Sequence, residues 1–228
     1  MRAVVTGASR GIGLELARQL IARGYEVHGG VRDPDKATEL RATGARVHAL
    51  DVSSGASVAA FAKALGDSAV DLVFNNAGVH GGSAQNLEQL GGDLSLDNVL
   101  STFNTNAAGA LRVCAALLPH VRRGTGKKLV HITSGMGSIG DNGSGGSYAY
   151  RMSKVALNMM SKSLAIDLRG DGIISVVINP GWVQTDMGGP RATISVEESA
   201  KNILARIDET TLEQSGEFLN WKGNRYPW

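Results

Sequence analysis

A single cysteine, Cys114, stands among 228 residues, which excludes an internal disulfide and leaves nothing for a thiolate metal site. No apolar run approaches the roughly 20 residues that a bilayer span needs. The first residues, MRAVVTG, lead straight into a strand-like pattern without a signal-type apolar segment, so the expected compartment is a reducing cytoplasm. An excess of one charge is also missing. Twenty-three Lys and Arg against 21 Asp and Glu give +2, and with the signs interspersed there is no basic stripe to bind nucleic acid. The five histidines, His28, His48, His80, His120 and His131, show no H-x3-H pairing. No metal site is expected, and each is read as a core or surface residue. Internal repeats, long linkers and low-complexity tails are lacking too.

The remaining composition, 43% hydrophobic and 19% charged, is that of an ordinary folded chain whose length suits one core and one domain. The 30 glycines cluster at 7–13, 78–82, 135–146 and 181–189, where backbone is expected to approach something closely. Strand-like runs recur at 3–6, 26–30, 46–50, 72–75, 129–133, 174–179 and 217–220. Helical stretches lie between them, with apolar faces such as Ile12, Leu16, Leu20 and Ala107, Leu111, Ala115, Leu118. Strands alternating with helices predict an α/β chain: one doubly wound parallel sheet of about seven strands with helices on both faces. Asp33-Pro34 reads as an N-cap and first helical residue, opening a helix to about Thr43. The Gly/Ser-rich segment 134–147 reads as a mobile loop.

Two local patterns carry chemistry. Gly7, Gly11 and Gly13 lie in the turn between the first strand and first helix, the setting in which backbone N–H groups cradle a pyrophosphate. Tyr150 and Lys154 stand at i and i+4, so one helix face presents both to the same cleft. A free phenol ionises near pH 10, and a neighbouring cation is expected to favour the phenolate that general acid/base work requires. Tyr148 faces elsewhere and is read as substrate wall or packing.

The chain resembles the short-chain dehydrogenases/reductases, in the order Thr6-Gly7-Ala8-Ser9-Arg10-Gly11-Ile12-Gly13, Asp51-Val52, Asn75-Asn76-Ala77-Gly78, Tyr150 with Lys154, and Pro180-Gly181-Trp182-Val183-Gln184-Thr185. YAYRMSKVALNM, PGWVQTDMGGP and the ending GEFLNW with PW resemble the C-factor branch and the sniffer-type carbonyl reductases within that family. The resemblance implies a Rossmann-fold oxidoreductase that moves a hydride between a nicotinamide and a carbonyl or alcohol, with Tyr150 as acid/base. It implies cofactor contacts from Gly7, Ser9, Arg10, Gly11, Ile12, Gly13, Asp51, Val52, Asn76, Ala77 and Gly78. It extends them to Tyr150, Lys154, Pro180, Gly181, Val183 and Thr185. The second strand ends Gly30-Val31-Arg32, with Val31 where NAD-preferring members carry an acid. Arg32, with Arg10, is expected to grip a 2′-phosphate, so NADP is expected.

The resemblance also places a carbonyl-binding serine at Ser134. That residue lies farther from Tyr150 than is usual in the family, and Ser138 lies nearer the usual distance. Ser134 is preferred because a strand end fixes a hydroxyl better than a glycine loop does. Asn106 matches the asparagine that kinks a helix and extends a proton relay through water. Cys114 is read as packing. Helices around 100–122 and 148–169 are expected to pair into a homodimer or homotetramer. Where relatives insert a long substrate lid, only 186–193 precedes a helix capped by Ser195 with Glu198 three residues on, so an open, tolerant pocket is expected. Two rivals stand beside the reductase. One is a C-factor-like signalling protein that binds the nucleotide without turnover. The other is a nucleotide-sugar epimerase or dehydratase, which 228 residues scarcely accommodate.

Overall fold

The chain folds around one seven-stranded sheet, seen in a computed structural model that describes residues 1–82 and 96–228. The strands are β1 (Arg2–Thr6), β2 (Glu26–Val31), β3 (Arg46–Ala49), β4 (Leu72–Asn75), β5 (Lys128–Ile132), β6 (Ile174–Asn179) and β7 (Phe218–Asn220). They lie in the order β3-β2-β1-β4-β5-β6-β7, and every neighbouring pair is parallel. Each expected strand is present within a residue or so of its predicted bounds.

Parallel strands need crossovers, and these supply α1 (Gly11–Ala22), α2 (Thr38–Ala42), α3 (Gly55–Ala64), α4 (Leu96–Phe103), α5 (Gly109–Arg123), α6 (Tyr148–Asp167) and α7 (Val196–Glu209). Side chains alternate across β1. Ala3 and Val5 join the core under α1, α2 and α7, while Val4 joins the core under α3 and α5. Leu16 and Leu20 of α1 are essentially fully buried, each worth about 1.5–3 kcal/mol relative to exposure. The doubled layer leaves the carboxyl ends of β1, β4 and β5 open on either side of the point where strand order reverses. Ligands bind at such a point in open α/β sheets.

Two sequence expectations change. Asp33 caps no helix: α2 starts only at Thr38, and the Asp33 carboxylate pairs with Lys36 at 2.9 Å. The Lys36 ammonium satisfies it inside a turn, so Pro34 opens that turn and not a helix. On α5 the covered stripe is Ala110, Val113, Cys114, Leu117 and Val121, whereas Leu111 is exposed. The helix is apolar on two sides, and periodicity alone does not say which side the sheet covers. Ser195 caps α7 as expected, its Oγ accepting the Glu198 N–H at 3.1 Å. Among the described residues no helix is long and apolar enough to cross a membrane.

Candidate active site

The turn after β1 sets the near end of the site. Gly7 adopts φ +65°, and a Cβ there would lie 2.8 Å from the Ala77 Cα, so only glycine fits both the conformation and the space. Asn76 locks the arrangement, its Nδ2 donating to the Thr6 and Gly7 carbonyls at 3.0 and 3.1 Å. The Asn76 and Ala77 N–H groups both donate to Thr6 Oγ1, and Gly13 packs behind the turn. The first turn of α1 has no side-chain cap and no acidic residue. Its N–H groups therefore face a cleft of about 910 Å³ without a side-chain cap among the described residues. Gly7, Ser9, Arg10, Gly11, Ile12, Arg32, Asp51, Val52, Asn76, Ala77, Gly78 and Thr185 all line that cleft. A glycine-lined cleft over an uncapped helix N-terminus fits a dinucleotide.

The charged residues of the cleft divide. Arg32 has no ion-pair partner among the described residues, and no carboxylate stands on β2 where an NAD-type acid is expected. Arg10 pairs with Asp186 at 2.7 Å across the mouth, both side chains about three-quarters exposed. Segment 186–193 thus reaches over the cleft to the glycine turn. An exposed pair of this kind is weak and gives way to a better anion. Asp51 Oδ1 accepts both the Ser53 N–H and hydroxyl at 2.9 and 2.6 Å, and these bonds hold its carboxyl below the usual range.

At the far end, α6 presents Tyr150 and Lys154 into the interior beside the end of β5. The Lys154 ammonium donates to the Ile132 carbonyl at 2.8 Å and lies 5.5 Å from the centre of the Tyr150 ring. Burial pushes it down to about 8. Burial likewise pushes the Tyr150 phenol up to about 12, opposed by its hydrogen bond with Ser134. The expectation that Lys154 lowers the phenol's pKa is therefore corrected for the free protein. The ammonium donates to the Ile132 carbonyl, and desolvation is the larger influence on the phenol. Burial thus favours the protonated phenol at neutral pH.

Ser134 is the serine that meets Tyr150, and it also caps a single 3-10 turn by accepting the Met136 N–H. Ser138 is turned away, donating to the Trp228 main-chain oxygen and accepting from Asp141 N–H. Asn106 lies in a π-helical turn, Asn104–Ala108, between α4 and α5. Its amide bonds Val79 on both sides at 2.8 Å and donates to Ser153 Oγ at 2.9 Å. Its Oδ1 lies beside Gly78, as does Lys154 Nζ. Pro180 is held through its carbonyl by Ser199, and Val183 is buried in a bridge to Ile194.

Beside Ser134 opens a second cavity of about 480 Å³, walled by Gly135, Met136, Asp141, Arg151, Asn179, Gly181, Trp182 and Tyr226. Of these walls only Gly181 was expected in the site; the large side chains of Arg151, adjacent to Tyr150 in sequence, and of Met136, Trp182 and Tyr226 were not foreseen there. Tyr226 comes from the chain's last residues, donating its hydroxyl to Asp141 at 2.6 Å. With the Gly140 N–H on the Trp228 oxygen at 2.7 Å, it ties segment 135–147, expected as a mobile loop, to the chain's C-terminal residues at these two points. His80, expected in core or surface, stacks on Tyr150. Its position two residues beyond the Asn75–Gly78 motif is the one signal that places it near the site. Tyr148 packs against Ala149 and Val99. Cys114 is buried, bonded by Asn75, with its thiol pushed up to about 12. Among the described residues no group of three or more His, Cys, Asp or Glu side chains could hold a metal ion.

Comparison with known proteins gives a consistent set of likenesses. The sequence pattern of the short chain dehydrogenases matches residues 1–194. The C-signal protein of Myxococcus xanthus is 46% identical over 169 residues, 74% of this chain and 99% of its own length. A 1-hydroxy-2-glutathionyl-2-methyl-3-butene dehydrogenase from Rhodococcus sp. (strain AD45) is 35% identical over 99% of this chain and 98% of its own. Among solved structures, an NADPH-bound carbonyl reductase from chicken fatty liver superposes with a TM-score of 0.91 at 31% identity, covering 100% of this chain and 98% of that one. The carbonyl reductase Sniffer of D. melanogaster superposes with a TM-score of 0.90 at 29% identity, covering 100% and 99%.

Proposed function

The chain is an oxidoreductase of the short-chain dehydrogenase family, and from that premise we propose that it is an NADP(H)-dependent reductase of aldehydes or ketones with Tyr150 as proton donor. One observation carries the reading: a buried phenol, Tyr150, hydrogen-bonded to Ser134, which lines the second cavity, with the Lys154 ammonium 5.5 Å from its ring centre. The likeness to a carbonyl reductase with NADPH bound supports it.

The N-terminus of α1, with Gly11 and Ile12, binds the pyrophosphate. Arg32, joined by Arg10 when it releases Asp186, binds the 2′-phosphate. Asp51 and Val52 flank the adenine, and Asn76, Ala77 and Gly78 the adenosine ribose. Lys154 and Tyr150 hold the nicotinamide ribose, and Pro180, Gly181, Val183 and Thr185 fix the ring's carboxamide and hence its face. The bound dinucleotide supplies the hydride. Ser134 orients the substrate carbonyl from the second cavity, and Tyr150 gives its proton to the oxygen as negative charge develops there. Lys154, poised near 8, stabilises the resulting phenolate, and Asn106 supports reprotonation from the Gly78 side.

The aromatic and thioether wall of Trp182, Tyr226 and Met136 favours hydrophobic or aromatic carbonyls, and the short 186–193 segment leaves that cavity open. Exposed Leu96, Leu100, Phe103, Leu111, Met152, Met159 and Ile166 lie on α4, α5 and α6. They support pairing of these helices in a homodimer or homotetramer.

Likeness to C-signal favours a second reading, a nucleotide-binding regulator without turnover. The retained Ser134, Tyr150 and Lys154 weigh against it, because binding alone needs no proton donor. NADPH oxidation against a panel of aldehydes and ketones separates the two. Turnover supports the reductase, and tight NADPH binding with no turnover of any carbonyl supports the regulator.

A further inference from the structure

The face of Tyr150 is covered by a ring that none of the family motifs includes. The His80 imidazole stacks on the phenol with ring centres 5.1 Å apart and planes inclined by 22°. On the same phenol Lys154 Nζ stands 5.5 Å from the ring centre, and Ser134 holds the hydroxyl. The imidazole is itself fixed. Its Nδ1 lies 3.1 Å from the Gly82 carbonyl, which only accepts, so Nδ1 carries the proton and the bond sets the ring's orientation. That bond requires the chain to double back within two residues. Gly81 at φ +81° allows it, lying so close to Thr102 that a Cβ would be 2.2 Å from Thr102 Oγ1.

We propose that His80 is a positioning residue for proton transfer: its stacked imidazole holds the Tyr150 phenol in the orientation that meets Ser134 and screens the ring from water. The inference rests on the assignment of Tyr150 as proton donor. His80 makes no bond to Ser134 or Lys154 and does not line the dinucleotide cleft, and most of the coenzyme contacts proposed above lie in that cleft, so its effect falls mainly on the chemical step. An offset stack of this kind shifts an orientational equilibrium by roughly two- to tenfold. A proton donor displaced by an ångström loses rate by a comparable or larger factor.

The test uses the whole chain saturated with NADPH. His80→Ala is expected to lower kcat about tenfold while the dissociation constant for NADPH stays within twofold. His80→Phe, which keeps a flat ring on the phenol, is expected to recover kcat to within about threefold of the parent. Unchanged kcat in His80→Ala overturns the proposal. So does a parallel loss of NADPH affinity that Phe fails to rescue, because the side chain then merely props the 78–82 turn. A readout independent of turnover is the His80 Cε1–H proton resonance, assigned by its disappearance in His80→Ala. It should shift in Tyr150→Ala as the ring current of the phenol is lost, and an unmoved resonance overturns the stack. Absence of carbonyl turnover with that shift intact contradicts the reductase assignment and leaves the contact established.

Discussion

Lys154→Met separates what the site needs for chemistry from what the fold needs for stability. Burial pushes the Lys154 ammonium from its ordinary value near 10.5 down to about 8. Keeping the buried ammonium charged therefore costs the free protein about 3 kcal/mol at pH 7. The sign follows from proton counts. Between about pH 8 and 10.5 the unfolded chain holds the lysine proton and the folded chain does not, so stability of the parent rises with pH through that window. Methionine fills nearly the same space without charge, but it leaves the Ile132 carbonyl without the lysine's hydrogen bond, a loss of about 1 kcal/mol. Lys154→Met should therefore be about 1–2 kcal/mol more stable than the parent at pH 7, and this advantage should shrink by about 2 kcal/mol at pH 9.5. Urea unfolding followed by tryptophan fluorescence, extrapolated linearly at both pH values, measures it. A stability difference that does not narrow between pH 7 and 9.5 would refute the claim that the ammonium is buried at a cost.

Arg32→Asp should weaken NADPH binding at least tenfold while leaving NADH within about twofold, because it removes a phosphate donor and sets a like charge beside the 2′-phosphate. Titration of both coenzymes by fluorescence checks it, and equal affinities in the parent would sink it. Tyr226→Ala removes the hydroxyl that fastens Asp141 and one wall of the second cavity. Steady-state kinetics on a graded ketone series should show KM rising several-fold with flatter discrimination, whereas sharp selectivity in the parent by several orders of magnitude would contradict an open cavity. Leu111→Glu together with Met159→Glu should turn a dimer or tetramer into monomer by light scattering, and a parent that is already monomeric at micromolar concentration rules out the helix pairing.

Local spacing made much of this site legible. A glycine turn between strand and helix, and a tyrosine and lysine one helical turn apart, are fixed by backbone geometry within a dozen residues, so the structure places them where the pattern does. Strand positions were equally plain, since buried parallel strands are near-continuous apolar runs. What stayed hidden depends on contacts distant in sequence. Asp186 meets Arg10 across 176 positions, and Tyr226 reaches Asp141 across 85. Neither has a local signature. The raised pKa of Tyr150 was missed for a related reason. Spacing puts Lys154 on the same helix face, but only the fold shows its ammonium turned to Ile132 and the phenol stripped of water. Asp33 was misread because a carboxylate before proline looks the same whether an N-terminal helix turn or the Lys36 ammonium satisfies it.

Tyr150→Phe is the most direct probe of Tyr150 as proton donor, since it deletes one oxygen and keeps the ring that His80 covers. Carbonyl-dependent NADPH oxidation and NADPH affinity should be measured on the same preparation, beside Tyr148→Phe as control. General acid catalysis is worth about 10²–10⁴-fold, so turnover by Tyr150→Phe should fall by at least that lower factor while NADPH affinity stays within a few-fold. Tyr148→Phe should keep most of the parent's rate. Turnover retained in Tyr150→Phe, or lost in Tyr148→Phe instead, would contradict the central assignment.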